Sequence, residues 1–259
     1  MPGSPQASRH GLEARLAACA GAGYAGYWLH HRDYLEQTGA GLDNSALRNL
    51  FDRYGMRHRG VEFLTSWFLV GDAAAQTAER AAFDAANAIG ARVVNVGADF
   101  SGRGLERREM VVHFTALCAR AADRGLSIAL EIVPWSNVPD VDAALDFMEP
   151  ANAGLVIDCW HIFRGGVALS ELRRIPQERI LCVQVNDATA TPVSLLAEDT
   201  LRRRQCGEGA FDLPGFAAAL DSAGVTVPFS VEIISPEVAA LPADEAARTS
   251  FDAARRVFG

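Results

Sequence analysis

Short apolar runs alternate with longer amphipathic stretches along the whole chain. Seven runs of four to eight residues, at 26–29, 60–67, 92–96, 127–133, 154–158, 180–186 and 229–234, are apolar at most successive positions. That pattern suits parallel strands buried on both faces. Between them, 12–19, 44–54, 73–89, 107–124, 141–148, 168–173, 213–223 and 244–257 carry helical periodicity, and Gly90 follows one of these stretches where a left-handed cap would stand. Strand and helix alternating throughout predict an α/β fold with a parallel sheet.

Strands spaced near 32 residues (259/8) fit a (β/α)8 TIM barrel, which typically takes about 250 residues, better than a doubly wound sheet. No strand is followed by G-x-G-x-x-G or G-x-x-x-x-G-K, so a nucleotide-binding sheet lacks its usual mark. No linker or low-complexity segment interrupts the chain, and one domain spanning 1–259 is expected. Residues 1–9 read as a loop in the place where the first strand belongs. The first strand is therefore expected to be missing or rudimentary.

Composition narrows the chemistry. The chain has no lysine, so all 24 cationic side chains are arginine, and against 32 acids they leave a net charge of −8. A Schiff-base aldolase, a pyridoxal phosphate anchor and a P-loop lysine are thereby excluded. The acidic balance argues against nucleic acid as a partner. Five scattered cysteines without a C-x-x-C pair fit a reducing cytoplasm. No run is long and apolar enough to predict a membrane span or a signal peptide.

In barrels the reacting groups stand at the C-terminal ends of strands. Four strands carry polar side chains there: Glu131 within L-E-I-V-P-W, Asp158 with His161 in L-V-I-D-C-W-H, Gln184 in V-Q-V-N-D-A, and Glu232 in S-V-E-I. The spacings 158 − 131 = 27 and 184 − 158 = 26 are one β/α unit each, so these residues come from neighbouring strands; 232 − 184 = 48 is one unit plus the polar loop 188–211. Buried carboxylates are costly unless paired or bound to a metal. Spacing alone leaves three accounts open: a metal site, pairing with arginines such as Arg164 or Arg204, or carboxyls that are protonated and hydrogen-bonded.

These pieces, with R-R-R-Q-C-G-E-G, resemble the sugar phosphate isomerase/epimerase family of xylose isomerase-like barrels, over nearly the whole chain after residue 10. The resemblance implies a divalent metal, Mn²⁺ or Mg²⁺, held by Glu131, Asp158, Gln184 and Glu232. It implies that Glu131 and Glu232 form the catalytic acid/base pair, and that His161 and an arginine near Arg204 hold the substrate. Trp135, just past its strand, is a further candidate for the substrate pocket. Two positions depart from the family pattern. Gln184 stands where many members have histidine, which makes the donor set all-oxygen and suits a hard ion more than Zn²⁺. Three carboxylates against a dication leave the site near −1. Cys206 stands where proline often precedes Gly207-Glu208-Gly209, and nothing there points to thiol chemistry.

The expected activity is isomerisation or epimerisation of a sugar or sugar-like ketone through a metal-stabilised enediolate. The alternative is a lyase of the inosose or dehydroshikimate dehydratase kind on the same site. Behind these stand a non-catalytic binding barrel and an abasic-site endonuclease, the latter disfavoured by charge. The expected partner is a small polyhydroxy ketone or sugar, with neither nucleic acid nor membrane, and a homo-oligomer is compatible with it.

Overall fold

A computed structural model of the chain describes residues 8–100, 102 and 105–259. Seven strands form a single parallel sheet in sequence order: β1 Gly26–His30, β2 His58–Leu64, β3 Val93–Val96, β4 Ser127–Glu131, β5 Ala153–Asp158, β6 Ile180–Val185 and β7 Phe229–Val231. Around it lie α1 Leu12–Ala22, α2 His31–Gly39, α3 Asn44–Arg53, α4 Ala73–Ile89, α5 Arg107–Ala122, α6 Val141–Leu145, α7 Cys159–Arg164, α8 Leu196–Asp199, α9 Leu213–Ser222, α10 Pro236–Ala239 and α11 Ala243–Phe258. This is a TIM barrel one strand short. Among the described residues no strand precedes α1, and β7 does not pair with β1. The expected loop at 1–9 lies outside the described residues except for Ser8 and Arg9, which form no strand.

The helical layer nevertheless closes over the gap. Tyr24, just after α1, meets Phe251 of α11 edge-on at 5.0 Å, and its hydroxyl lies 3.0 Å from Ser250 Oγ. The sequence missed α2, whose polar composition hides it, and α7, which begins directly from a strand end. The stretch expected as helix at 168–173 is a 3₁₀ helix, Leu169–Arg174. Gly90 caps α4 with φ 76°.

Two apolar layers follow from the two-residue strand period. Val61, Val94, Ile128, Leu130, Leu155, Ile157, Val183 and Val185 face the helices in the main core. Ala129, Val156 and Cys182 form a second cluster inside the barrel, with Trp28 and Val93 packed against it. Gly60 is required there, because a Cβ at that position would overlap the Trp28 ring. This inner cluster is the floor. The residues two positions farther along each strand stand above it, and they are the polar ones.

Candidate active site

Asp158 is the last residue of β5, as its run 154–158 predicts, and Glu131 is the last of β4 rather than lying within a strand that runs on to 133. Glu232 follows β7 directly, and its N–H still donates to Val185 O at 3.1 Å. Gln184 pairs with Asp158 across the β5–β6 register. Its neighbours Cys182 inside and Val183 and Val185 outside give the alternation that points Gln184 inward. Asp158 also caps α7. Its Oδ1 accepts from Trp160 N–H and from Asn186 Nδ2, both at 2.9 Å, which leaves Oδ2 turned to the site. The first turn of α7 then brings His161 Nε2 to 3.2 Å from Glu131 Oε1 and 3.6 Å from Asp158 Oδ2. Asn95 Nδ2 donates to Glu131 Oε2 at 3.3 Å.

The arginine in this cluster is Arg203, not Arg204. The segment carrying both is pinned on two sides: Arg203 N–H donates to Ile234 O, and Arg204 and Asp187 exchange backbone hydrogen bonds at 2.7 and 3.0 Å. Successive residues of such an extended segment point to opposite sides. Arg203 therefore turns inward, where Nη1 lies 2.8 Å from Asp158 Oδ2 and also bonds Glu232 Oε2, while Nη2 donates to Thr200 Oγ1 at 3.1 Å. Arg204 is exposed and reaches only the carbonyl of Glu208. Arg164 pairs with Asp199 at 3.0 Å and does not neutralise the site acids.

Asp187, a strand-end residue without an evident role in the sequence, organises this loop. Its carboxylate accepts from the N–H groups of Ala188, Gly207, Gly209 and Phe211, at 2.8–3.1 Å. A Cβ on Gly209 would overlap Asp187 Oδ1 and Ala188 O, so the G-E-G turn is a cradle for that carboxylate.

Above the floor opens a cavity of about 540 Å³. Glu131, Glu232, His161, Arg203 and Trp135 line it. Trp135 packs against His161 at 5.3 Å and faces Phe100 at 6.3 Å. Trp67 and Phe163, which also follow strands, pack elsewhere: Trp67 Nε1 donates to Gly97 O, and Phe163 stacks on Phe211. Trp160 backs the site, edge-on to Trp135 at 5.9 Å and under the Arg203 guanidinium at 5.7 Å. His30 ends β1 and lines the cavity, and His31 is buried beneath it with the rings stacked at 4.7 Å.

The cavity holds two acids that the sequence did not single out, Asp33, which is paired with Arg15, and Glu62 of β2. The signal of Glu62 was the same as that of Glu131: a lone carboxylate on the inward phase of an apolar strand, two residues after Gly60. Burial, with Glu232 and Glu131 nearby, pushes its carboxyl well above the usual range. Burial likewise pushes Glu232 up to about 7, against the opposing pull of Arg203. Burial alone would lower Arg203, but Asp158, Glu232 and Glu131 hold it above its ordinary value.

The donor chemistry fits a divalent cation. Glu131, Asp158 and His161 each bring one ligand atom within 4.8 Å of the others, all three buried. Gln184 is buried as well, and its Oε1 has no hydrogen-bond partner. One guanidinium does not balance three carboxylates, which leaves charge for a dication to meet.

Comparison with known proteins agrees with this architecture. The model of the xylose isomerase-like TIM barrel family matches residues 15–257. The chain belongs to that family. An inosose isomerase of Halalkalibacterium halodurans is 30% identical over 56% of this chain and 53% of its own length. A 3-dehydroshikimate dehydratase of Pseudomonas aeruginosa is 31% identical over 89% of this chain but 37% of its own. The chain thus spans about half, or less, of the curated relatives it matches. Among solved structures, the IOLI protein with a bound zinc atom superposes with TM-score 0.84 at 22% identity, over 96% of this chain and 93% of that one. D-psicose 3-epimerase in the presence of D-fructose gives 0.74 at 14%, over 97% and 95%. At such identities these two likenesses concern the fold.

Proposed function

We propose that this barrel is a divalent-metal-dependent isomerase or epimerase of a sugar-like ketone, working through an enediolate with Glu131 and Glu232 as its acid/base pair. The observation that carries the reading is that both carboxylates line one cavity, joined by a single chain of contacts running Glu131, His161, Asp158, Arg203, Glu232. Glu131, Asp158, Gln184 and Glu232 would hold Mn²⁺ or Mg²⁺, an all-oxygen set. When bound, the ion polarises the substrate carbonyl and stabilises the charge that develops as the neighbouring C–H is deprotonated.

The chain's own groups divide the remaining work. Glu131 is oriented by Asn95 and His161, which fixes one oxygen for proton abstraction. Glu232 lines the other side of the cavity and serves the opposite face of the substrate. Arg203 steadies Glu232 and offers positive charge to a developing oxyanion, and His161 donates to a substrate oxygen. Trp135 covers an apolar side of the substrate and helps exclude water.

The test is solvent exchange. Protein stripped with chelator and reloaded with Mn²⁺ should incorporate deuterium from D₂O into a polyhydroxy ketone, and the stripped protein should not. Glu131→Gln and Glu232→Gln should each remove exchange while metal-loaded protein stays folded. Exchange that persists without metal, or in both variants, defeats the reading. The lyase alternative is favoured by one observation, the longer stretch of this chain that aligns with the dehydratase. Loss of the enone band of 3-dehydroshikimate with growth of aromatic dihydroxybenzoate absorbance, without exchange into a polyhydroxy ketone, would decide for it.

A further inference from the structure

Glu62 has no task in the mechanism above, yet it stands in the same cavity. Along β2 the residues facing the barrel interior are Gly60 and Glu62, while Val61 belongs to the outer core. Glu62 pairs with His30 of β1, on the side of the barrel opposite the β5–β6 pair that carries Asp158 and Gln184. Its carboxyl makes neither a hydrogen bond nor an ion pair with any described residue. A half-buried carboxyl that faces a cavity without a protein partner is free to take one from a ligand.

The charges around it limit what that ligand can be. Arg203 is taken by Asp158 and Glu232. Arg15 gives Asp33 two hydrogen bonds, at 2.9 and 3.0 Å, and Tyr27 a third at 2.8 Å. Arg32 has no carboxylate partner, but it is exposed, on the first turn of α2. Among the described residues, then, the only cation of the cavity without a carboxylate partner is Arg32 at its exposed rim, and Glu62 offers an anionic group no positive charge. Hydroxyl groups meet it well: each can donate to a carboxylate or accept from a carboxylic acid. The neighbouring wall is aromatic, with Phe63 and Phe100 tilted at 5.9 Å and Trp135 beyond, and it offers an apolar surface to the carbon face of a ring.

We infer that Glu62 is the specificity-determining residue of this cavity: it binds a hydroxyl on a substrate carbon remote from the reacting carbonyl, and so selects neutral polyhydroxylated ring ketones over carboxylate-bearing or phosphorylated ones. The inference rests on the proposed function, since it takes the Asp158–Gln184 side as the reacting end.

The experiment is calorimetric titration of Mn²⁺-loaded protein with an inosose, with 3-dehydroshikimate, and with a set of monodeoxy inososes. Wild type should bind the inosose at least about tenfold more tightly than 3-dehydroshikimate, the scale of one well-made hydrogen bond. Glu62→Ala should weaken inosose binding by a similar factor and raise KM more than it lowers kcat, and the isosteric Glu62→Gln, whose amide can still meet a hydroxyl, should retain much of the affinity. One deoxy analogue should bind wild type and Glu62→Ala alike, and its loss of affinity is read on wild-type protein, independently of how the variants fold. Tighter binding of 3-dehydroshikimate, no binding of any inosose, or a Glu62→Ala penalty that persists in every deoxy analogue overturns the inference. Arg32→Ala separates one further case: an anion held at the rim, whose binding falls in that variant, also counts against it. Metal-dependent turnover of 3-dehydroshikimate would overturn the role of Glu62 while keeping the metal site. Absence of metal-dependent chemistry on every ketone would instead defeat the proposed function.

Discussion

On one side of the barrel all six residues of β5 are buried, and β4 and β6 are nearly as enclosed. On the other, β7 has only three residues, all half-buried, and β1 buries Leu29 alone. The floor differs in the same way. Under the β4–β6 side it is built of small residues from three strands, Ala129, Val156 and Cys182. Under the β1–β2 side the Trp28 ring lies against Gly60, which leaves it room. The enclosed side carries most of the metal-ligand candidates, where low mobility fixes geometry. The side beside the unpaired edges carries His30, Glu62 and Glu232, where a substrate can enter and be sorted. Rigidity and access are assigned to different strands.

The largest effect that could break this division comes from Asp158. Asp158→Asn keeps the shape but removes the charge that serves Arg203 and the proposed metal at once. Metal affinity and turnover should fall beyond the roughly 10–100-fold cost of losing an outer partner of a metal ligand. Titration of Mn²⁺ into chelator-treated protein checks it. A variant that retains wild-type affinity would remove the β5 side from the metal site.

Next in size is the contrast between adjacent arginines. Arg203→Gln leaves Asp158 and Glu232 without their buried counter-ion and should lower kcat/KM by about 100-fold, a scale set by a charged hydrogen-bonded pair losing one member. Arg204→Gln should change kcat/KM less than about twofold, since an exposed charge contributes little. Equal losses in the two variants would mean that the alternation along 203–204 is not what delivers the side chain.

Gln184 sharpens the same side. Gln184→Leu should weaken metal binding about tenfold or more with little loss of stability, whereas Gln184→His should keep binding and shift preference toward Zn²⁺ or Co²⁺. Unchanged affinity in Gln184→Leu would leave the partnerless Oε1 outside the metal site.

These pairs also mark how far the sequence could be read. The strands, the single barrel and the missing first strand were legible because buried parallel strands write themselves as uninterrupted apolar runs. Glu131, Asp158, Gln184 and Glu232 stood out as polar interruptions at the ends of such runs. Glu62 interrupts the 60–67 run in the same manner, but it precedes the run's end and was passed over. Arg203 was harder. Three consecutive arginines carry no periodicity, and which one turns inward is decided by backbone pairing to Asp187 and Ile234, from two distant segments. Asp187 holds its loop through four backbone N–H groups, and backbone donors leave no residue-specific trace.

On the more open side the expected effects are on stability. Gly60→Ala drives a Cβ into the Trp28 ring and should cost about 1–3 kcal/mol, as overpacking generally does. Urea denaturation checks it, and a neutral result would mean that the indole has room to shift, so that this half of the floor is not packed.

The smallest effect is a pH dependence of the same side. Burial, with His30 beside it, lowers His31 to about 4 from its ordinary 6.5. A base whose folded pKa is depressed binds more protons when unfolded, so its contribution is complete above pH 6.5. It is lost as pH falls toward 4. From those two values the loss between pH 7.5 and pH 6 is roughly 1 kcal/mol. The backbone carbonyl of Glu62 accepts from His31 and favours its charged form, which only partly offsets burial, so the cost of protonation falls on the desolvated β1–β2 edge rather than on the proposed metal-ligand side. His31→Gln retains a donor for that carbonyl and cannot ionise. Its denaturation free energy should therefore fall about 1 kcal/mol less than that of wild type over this interval. Parallel curves for the two proteins would show that His31 is not held neutral by its burial, and the acid sensitivity of the fold would have to be sought on the other side of the barrel.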